Sequence, residues 1–293
     1  MSASPKDRAD AVVARRLGIS ARAARKLFDE GKVTLGGRRL DKGSYVDANA
    51  EPEIADAASA TTRVLQPRAM NLQVLYADSM LVAVNKPAGI PSHPLRPNEG
   101  DTVAAGIVSQ FPECLLASQD EREGGLCHRL DTGTSGVIVA ARSPASWTTL
   151  RQTLSSGLCT KTYLAHVYGA PPLTFSVDGM IGRGGKGGSR AMVNGGRDPL
   201  PARTVFERLW QRGASALVRA TLGTGRIHQV RVHLAHSGHP ILGDDLYSDA
   251  ASERVAASLT IPGLRLHAES IAFIHPETGS SVRIVAPAPA WAS

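Results

Sequence analysis

The chain has little cysteine, few aromatic residues and no long apolar run, and each shortage removes a class of protein. Three cysteines, Cys114, Cys127 and Cys159, occur in 293 residues. They form no CxxC pair and are odd in number, which argues against a disulfide framework. Aromatic residues make up 4%, too few to support a base-stacking platform of the single-strand-binding type. The longest apolar candidates, VLYADSMLVAV and GVIVAA, are strand-sized and fall short of the roughly 18 residues that span a bilayer. The first residues, MSASPKDRADAV, hold no hydrophobic stretch of signal-peptide type. These shortages lead us to expect a soluble, cytoplasmic chain with no membrane partner.

What is present suits a folded, basic protein. Hydrophobic residues are 42% and charged residues 20%, enough for a sizeable core, and the length suits two domains at most. Lysine and arginine number 33 against 26 acidic residues, giving a net charge of +7 and a pI near 9.6. A basic excess concentrates polyanions near the surface and is a first mark of nucleic-acid binding, although solubility alone also accounts for it.

Residues 7–55 read as a small separate unit. A helix over Asp10–Leu17 ends at Gly18. Ser20 suits an N-cap for ARAARKLFDE, which Gly31 closes at C′. Ala24, Leu27 and Phe28 share one stripe of that second helix, and Arg22, Arg25 and Lys26 lie off it. KVTL and RRL flank Gly36-Gly37 as strands about a tight turn. Arg22, Arg25, Lys26, Arg38 and Arg39, with Arg15 and Arg16, would then gather on one side, as a nucleic-acid surface or as a solvated face. Residues 56–70 lose periodicity and read as a linker.

From 71 to 290 strands outnumber helices. LQVLY, LVAVNKP, GVIVAA, KTYLAHVYG, RTVFERL and ALVRATLG read as strands, and the tail as a hairpin turning at Thr278-Gly279. Thr102 and Ser143 cap helices, HQVRVHLAHSG is a third, and GRGGKGGSR is a loop. The expected class is α+β with a mainly antiparallel mixed sheet flanked by helices and loops, beside the small N-terminal α/β unit.

Several chemical motifs fail. Gly182, Gly184 and Gly187 match GxGxxG but not at a strand-to-helix turn, and Met180 stands where a phosphate-binding loop needs its first glycine. His228, His233, His236 and His239 lack cysteine or HExxH partners, so no metal is expected. No complete GxSxG nucleophile elbow occurs.

Three blocks remain: HRLDTGTSGVIVAARS at 128–143, KTYLAHVYG at 161–169 and TGRIHQVRVHLAHSGHPILGDDLYS at 224–248. With NKPAGIPSHP before them and LRLHAESIAFIHPETG after them, they resemble in order the RluA-type pseudouridine synthases, over about residues 70–290. The first unit resembles the alpha-L RNA-binding domain named after ribosomal small-subunit protein four, with Gly36 where an Asn is common. The resemblance implies isomerisation of uridine to pseudouridine within structured RNA, without cofactor, metal or nucleotide. Ribosomal RNA is favoured as partner, transfer RNA is the alternative, and the enzyme would act as a monomer.

By the same resemblance Asp131 is the catalytic carboxylate, Arg226 the cation that keeps it ionised, and Tyr163 the ring that stacks on the base and could assist proton removal. Arg129 would fill the vacated stack, hold a phosphate or form a salt bridge within the domain, with His128, Arg231 and His233 lining the site or touching the RNA backbone. A catalytically silent RNA-binding or ribosome-assembly protein on the same fold is the rival reading, and its mark would be loss of the HRLD aspartate or the GR arginine. A nucleoside hydrolase would need a second carboxylate beside Asp131, and the nearest acids in the motif blocks, Asp244 and Asp245, lie in a separate segment.

Overall fold

The computed structural model describes residues 6–55, 65–94, 99–185 and 190–293, without the Arg22 side chain. These fall into two units, Met1–Val64 and Leu65–Ser293. Most of the expected 56–70 linker, residues 56–64, lies outside the described residues.

In the first unit β1 (Lys6–Arg8) leads into α1 (Ala9–Leu17), and α2 (Ala21–Asp29) follows a tight corner. Gly18 makes that corner at φ 63°, and Ser20 Oγ accepts the Ala23 amide at 3.2 Å, satisfying one orphan N–H of α2. Strands β2 (Val33–Leu35), β3 (Arg38–Arg39), β4 (Tyr45–Asp47) and β5 (Glu53–Ile54) complete the unit. Val12, Val13, Ala24, Leu27, Phe28, Val33 and Val46 form its core. Asp10, buried at the start of α1, accepts from Arg8 Nε at 3.0 Å and Arg25 Nε at 2.7 Å. Those partners, Arg8 first, hold its carboxyl at a pKa of about 2 despite burial. Arg25 is thus tied to Asp10 rather than standing free on the expected basic face, and Lys26 lies 3.5 Å from Glu30. Arg38 and Arg39 are exposed on β3.

The second unit is built on one large sheet. Its strands are β6 (Gln73–Ala77), β7 (Leu81–Lys86), β8 (Ser135–Ala141), β9 (Thr160–Tyr168), β10 (Thr174–Gly184), β11 (Arg190–Val193), β12 (Arg197–Arg212), β13 (Ser215–Leu222), β14 (Leu266–Ile274) and β15 (Ser281–Val285). They run in the order β11-β10-β12-β13-β9-β14-β8-β7-β6, with β15 branching off β14. Among the described residues all strand pairs of this sheet are antiparallel except β14 with β8. The observed class is therefore the α+β, mainly antiparallel one the sequence pattern gives.

The GVIVAA run is apolar throughout because both of its faces are covered. Ile138 and Ala140 of β8, with Val82 and Val84 of β7, meet α3 (Val103–Gln110). Val137, Val139 and Ala141, with Leu81 and Ala83, meet Trp147, Leu150 and Leu154 of α4 (Pro144–Ser155). Thr102 and Ser143 cap these helices as their spacing suggests. Farther along the sheet, Val230 and Leu234 of α5 (Gln229–His236) pack on β9, β12 and β13. One further helix, α6 (Ala250–Ser258), starts at a capping box made by Asp249 and Ser252.

The GRGGKGGSR segment is not wholly a loop. Gly182 and Gly184 belong to β10, which pairs with both β11 and β12; residues 186–189 lie outside the described residues.

Candidate active site

Asp131 sits on a turn that feeds the parallel junction of the sheet. Thr134 N donates to Asp131 O at 3.0 Å, closing the turn. Gly136 opens β8 at φ 110°, where a Cβ would lie 2.2 Å from the Ala268 carbonyl. Only glycine permits that approach of β8 to β14, which is the physical content of the TSG motif.

The turn is anchored from beneath. Ser92 Oγ donates to Leu130 O at 2.7 Å and accepts from Leu130 N at 3.1 Å. Lys86, 0% exposed, donates to Pro87 O, Thr132 O and Thr134 O at 2.8–3.0 Å. Burial lowers its pKa to about 8, against the opposing pull of the Asp131 charge.

Arg231, on α5, is the cation on Asp131. Its Nη1 lies 2.9 Å from Asp131 Oδ2. The same guanidinium grips Asp244 bidentately, Nε to Oδ2 at 2.8 Å and Nη2 to Oδ1 at 2.7 Å, and reaches Asp245 at 3.1 Å. Asp244 is further fixed by the amides of Leu246 and Tyr247. The Tyr247 ring centroid lies 5.3 Å from the Arg231 guanidinium carbon. Burial works against the Arg231 charge, but Asp244 and then Asp131 outweigh it and raise its pKa.

The GRIHQ pattern suggests Arg226 for that place, and the structure corrects this. Gln229 Oε1 accepts from Arg226 N at 3.1 Å and Thr224 Oγ1 at 2.9 Å, folding the turn ahead of α5. That turn sends Arg226 Nε to the Pro201 carbonyl at 3.1 Å, on β12. Arg226 still lines the cleft of about 80 Å³ that holds Asp131, together with Arg129, Thr134, Tyr163, His228 and Arg231. Tyr163, on β9, keeps its phenol protonated because burial, and then the Asp131 charge, raises its pKa.

The expected RNA contacts divide. Arg129 is exposed at the cleft and makes no hydrogen bond or ion pair among the described residues. Arg231 lines the cleft but is nearly buried, and His233 is fully buried. Arg231 is committed to three carboxylates, and His233 Nδ1 shares a hydrogen bond with Thr204 Oγ1 at 2.9 Å. His128 is part-buried; its Nε2 accepts the Val139 amide at 3.2 Å, and burial lowers its pKa to about 3.

Neutral buried histidines make stability pH-dependent. Burial lowers the His233 pKa to about 4, so between the unfolded value of about 6.5 and that value the unfolded chain binds the extra proton. Its stabilising contribution is complete above pH 6.5 and is lost as pH falls towards 4. We expect the pH slope of the unfolding free energy in that window to drop by up to about 1.4 kcal/mol per pH unit in His233→Gln, measured by denaturant titration. An unchanged slope would refute the assignment.

Motif reading did not assign His228, which lines the cleft, or Asp244, Asp245, Tyr247 and Lys86, which surround the Asp131–Arg231 pair.

An RNA pseudouridylate synthase family model matches residues 80–236, which spans the HRLD turn, Tyr163 and α5. The chain belongs to the RluA-type RNA pseudouridine synthases. It is 36% identical over 286 residues to an uncharacterized RNA pseudouridine synthase of Mycobacterium bovis, covering 97% of this chain and 91% of that one. It is 36% identical over 231 residues to a ribosomal large subunit pseudouridine synthase D of Xanthomonas campestris, covering 76% and 68%. A similarly named protein of Neisseria meningitidis is 30% identical over 290 residues, covering 96% and 76%. Among solved structures, human RNA pseudouridylate synthase domain containing 1 superposes with TM-score 0.59 at 25% identity, over 75% of this chain and 84% of its own. The synthase is therefore an isomerase acting on RNA. Among the described residues no helix is long and apolar enough to cross a membrane.

Proposed function

We propose that this synthase isomerises uridine in large-subunit ribosomal RNA, with Asp131 as its catalytic carboxylate. The observation that carries the site assignment is the pairing of Asp131 with buried Arg231 in a cleft walled by Tyr163. The substrate class is supported by relatives named for the ribosomal large subunit at 30–36% identity.

In the reaction the bond from ribose C1′ to N1 breaks, the uracil turns, and a bond from C1′ to C5 forms. The C5 proton leaves and N1 gains one, so there is no redox change. A uridine within a helix cannot reach a cleft residue, and everting it costs a few kcal/mol. Arg129, exposed beside Asp131, is placed to fill the vacated stack or hold the adjoining phosphate. The protonated phenol of Tyr163 suits a stacking platform and not a base at neutral pH. Arg226 is a wall of the cleft, with its Nε on Pro201 O.

The first unit, with the bounds 7–55, serves as an alpha-L type RNA-binding domain ahead of the catalytic domain at 71–290. Its contribution rests on Arg38 and Arg39 rather than on Arg25, which Asp10 holds. The Arg38→Ala/Arg39→Ala variant should bind RNA more weakly. Its log–log salt slope should be shallower by about 0.7–0.9 for each lost phosphate contact, read by filter binding. A slope equal to wild type would mean a merely solvated face.

The substrate is tested by mapping pseudouridines in ribosomal and transfer RNA from a strain lacking the protein. A site missing from large-subunit RNA and restored by the gene supports the proposal. Loss confined to transfer RNA overturns it.

A further inference from the structure

His228 carries an unusual backbone. It is the N-cap of α5 at φ 50°, ψ 25°, a left-handed conformation that a residue with a Cβ adopts at a cost. No glycine, which would remove that cost, stands there. The side chain has a defined place on both sides. Nδ1 lies 2.8 Å from the Tyr247 hydroxyl, and Nε2 lies 3.7 Å from Asp131 Oδ1. The Tyr247 oxygen also accepts the Ala191 amide at 2.7 Å. Its own hydrogen is left to give, and Nδ1 is the acceptor within reach. A neutral ring that accepts at Nδ1 carries its proton on Nε2, the nitrogen that faces Asp131.

We propose that His228, fixed by Tyr247, is a positioning residue that orients the Asp131 carboxylate: Arg231 holds Oδ2 while the His228 N–H faces Oδ1. The inference rests on the reading of Asp131 as the catalytic group. Arg231 Nη1 fixes Oδ2, and the polar N–H edge of the His228 ring, 3.7 Å away, biases the carboxylate to keep Oδ1 on its side. The 3.7 Å gap leaves Oδ1 free of a full hydrogen bond, and therefore available to the reacting nucleotide. Burial, and then Arg231 and Arg129, disfavour a charged imidazole, while Asp131 and Asp244 favour it; the net shift is downward. The neutral ring orients Oδ1 without placing a second full cation on it. Tyr247 thus serves both constraints, with its ring beside Arg231 and its hydroxyl on His228.

The test uses the full chain and RNA tritiated at uridine C5 from a strain lacking the protein. Single-turnover tritium release is followed with enzyme in excess. His228→Gly accepts the left-handed backbone without strain and removes only the imidazole. We expect its maximal rate to fall by about tenfold or more, since small misplacements of a reacting group cost up to about 10²-fold. The half-saturating enzyme concentration should stay within twofold of wild type. Added imidazole should restore part of the rate, which a purely structural residue would not show. Tyr247→Phe keeps the ring and loses the anchor, and should fall between the two. If His228→Gly does not fold, His228→Asn, which tolerates the same backbone, is read by the same rate and half-saturation.

A maximal rate within twofold of wild type, or a loss confined to half-saturation, overturns the inference. Asp131→Asn run in parallel separates the two levels. If it keeps its activity, the reading of the site itself fails. If it is silent while His228→Gly is normal, only this inference fails.

Discussion

Asp131→Asn should release no measurable tritium from RNA labelled at uridine C5, a loss of at least about 10³-fold or 4 kcal/mol of transition-state stabilisation, while binding RNA within about twofold of wild type. The reasoning separates charge from shape. Asparagine has nearly the same volume, and its amide oxygen can still accept from Arg231 Nη1. The Asp131 side chain is 32% exposed, so the fold does not depend on desolvating its charge. Arg231 keeps its bidentate grip on Asp244, and the turn keeps Lys86 and Ser92 beneath it. What disappears is the negative charge and the lone-pair basicity of Oδ1, the oxygen that Arg231 does not hold. RNA affinity should persist because it comes from basic surface groups, and a carboxylate in the cleft adds nothing to phosphate binding. The paired measurements are tritium release and filter binding on the same preparation, with circular dichroism to confirm the fold. Wild-type turnover by this variant would remove Asp131 from the chemistry. Free uracil released by the wild-type protein would mean bond cleavage without re-addition.

The position of Asp131 was readable from the chain because its motif is local. HRLD, the turn and the glycine at 136 follow one another, and Gly136 is required by a single close approach to Ala268. Its partner was not readable. Six successive residues of α5, Gln229 to Leu234, are all buried, so helical periodicity gives no hint of which side chain turns to the carboxylate. Arg226 and Arg231 are both arginines within a few residues, and only the Gln229 bonds to the Thr224–Arg226 turn decide between them. Asp244 and Tyr247 come from the irregular segment after α5, where tertiary contacts and not pattern place the side chains. The β7 and β8 strands were legible because alternation fails there in an informative way: an unbroken β-branched run signals two covered faces. Glycine frequency misled at β10. A Cβ at Gly182 would meet the Gly195 carbonyl at 2.2 Å, so glycine marks close backbone contact there and not a loop.

Replacing Arg231 should harm stability and turnover together, and the two effects can be separated. In Arg231→Met three carboxylates face one another without their shared cation. Asp244, whose side chain is 0% exposed, cannot recover its solvation by turning outward. Breaking a buried ion pair on one side costs about 3–5 kcal/mol, because the partner charge is stranded. For a unit of this size that corresponds to a fall in Tm of roughly 6–20 °C, measured by scanning calorimetry. Arg231→Lys should be intermediate, since an ammonium cannot present a planar fork to Asp244 while reaching Asp131. The double variant Arg231→Met/Asp244→Asn removes the stranded charge but keeps an acceptor for the Leu246 and Tyr247 amides. It should regain much of the lost Tm and none of the lost turnover, because Asp131 is still without its cation. Arg226→Met, by contrast, leaves the cluster whole and should shift stability by no more than about 0.5 kcal/mol. If Arg231→Met melts within 2 °C of wild type, the cluster does not hold this part of the fold. If the double variant turns over RNA normally, the guanidinium is structural, and Asp131 works without it.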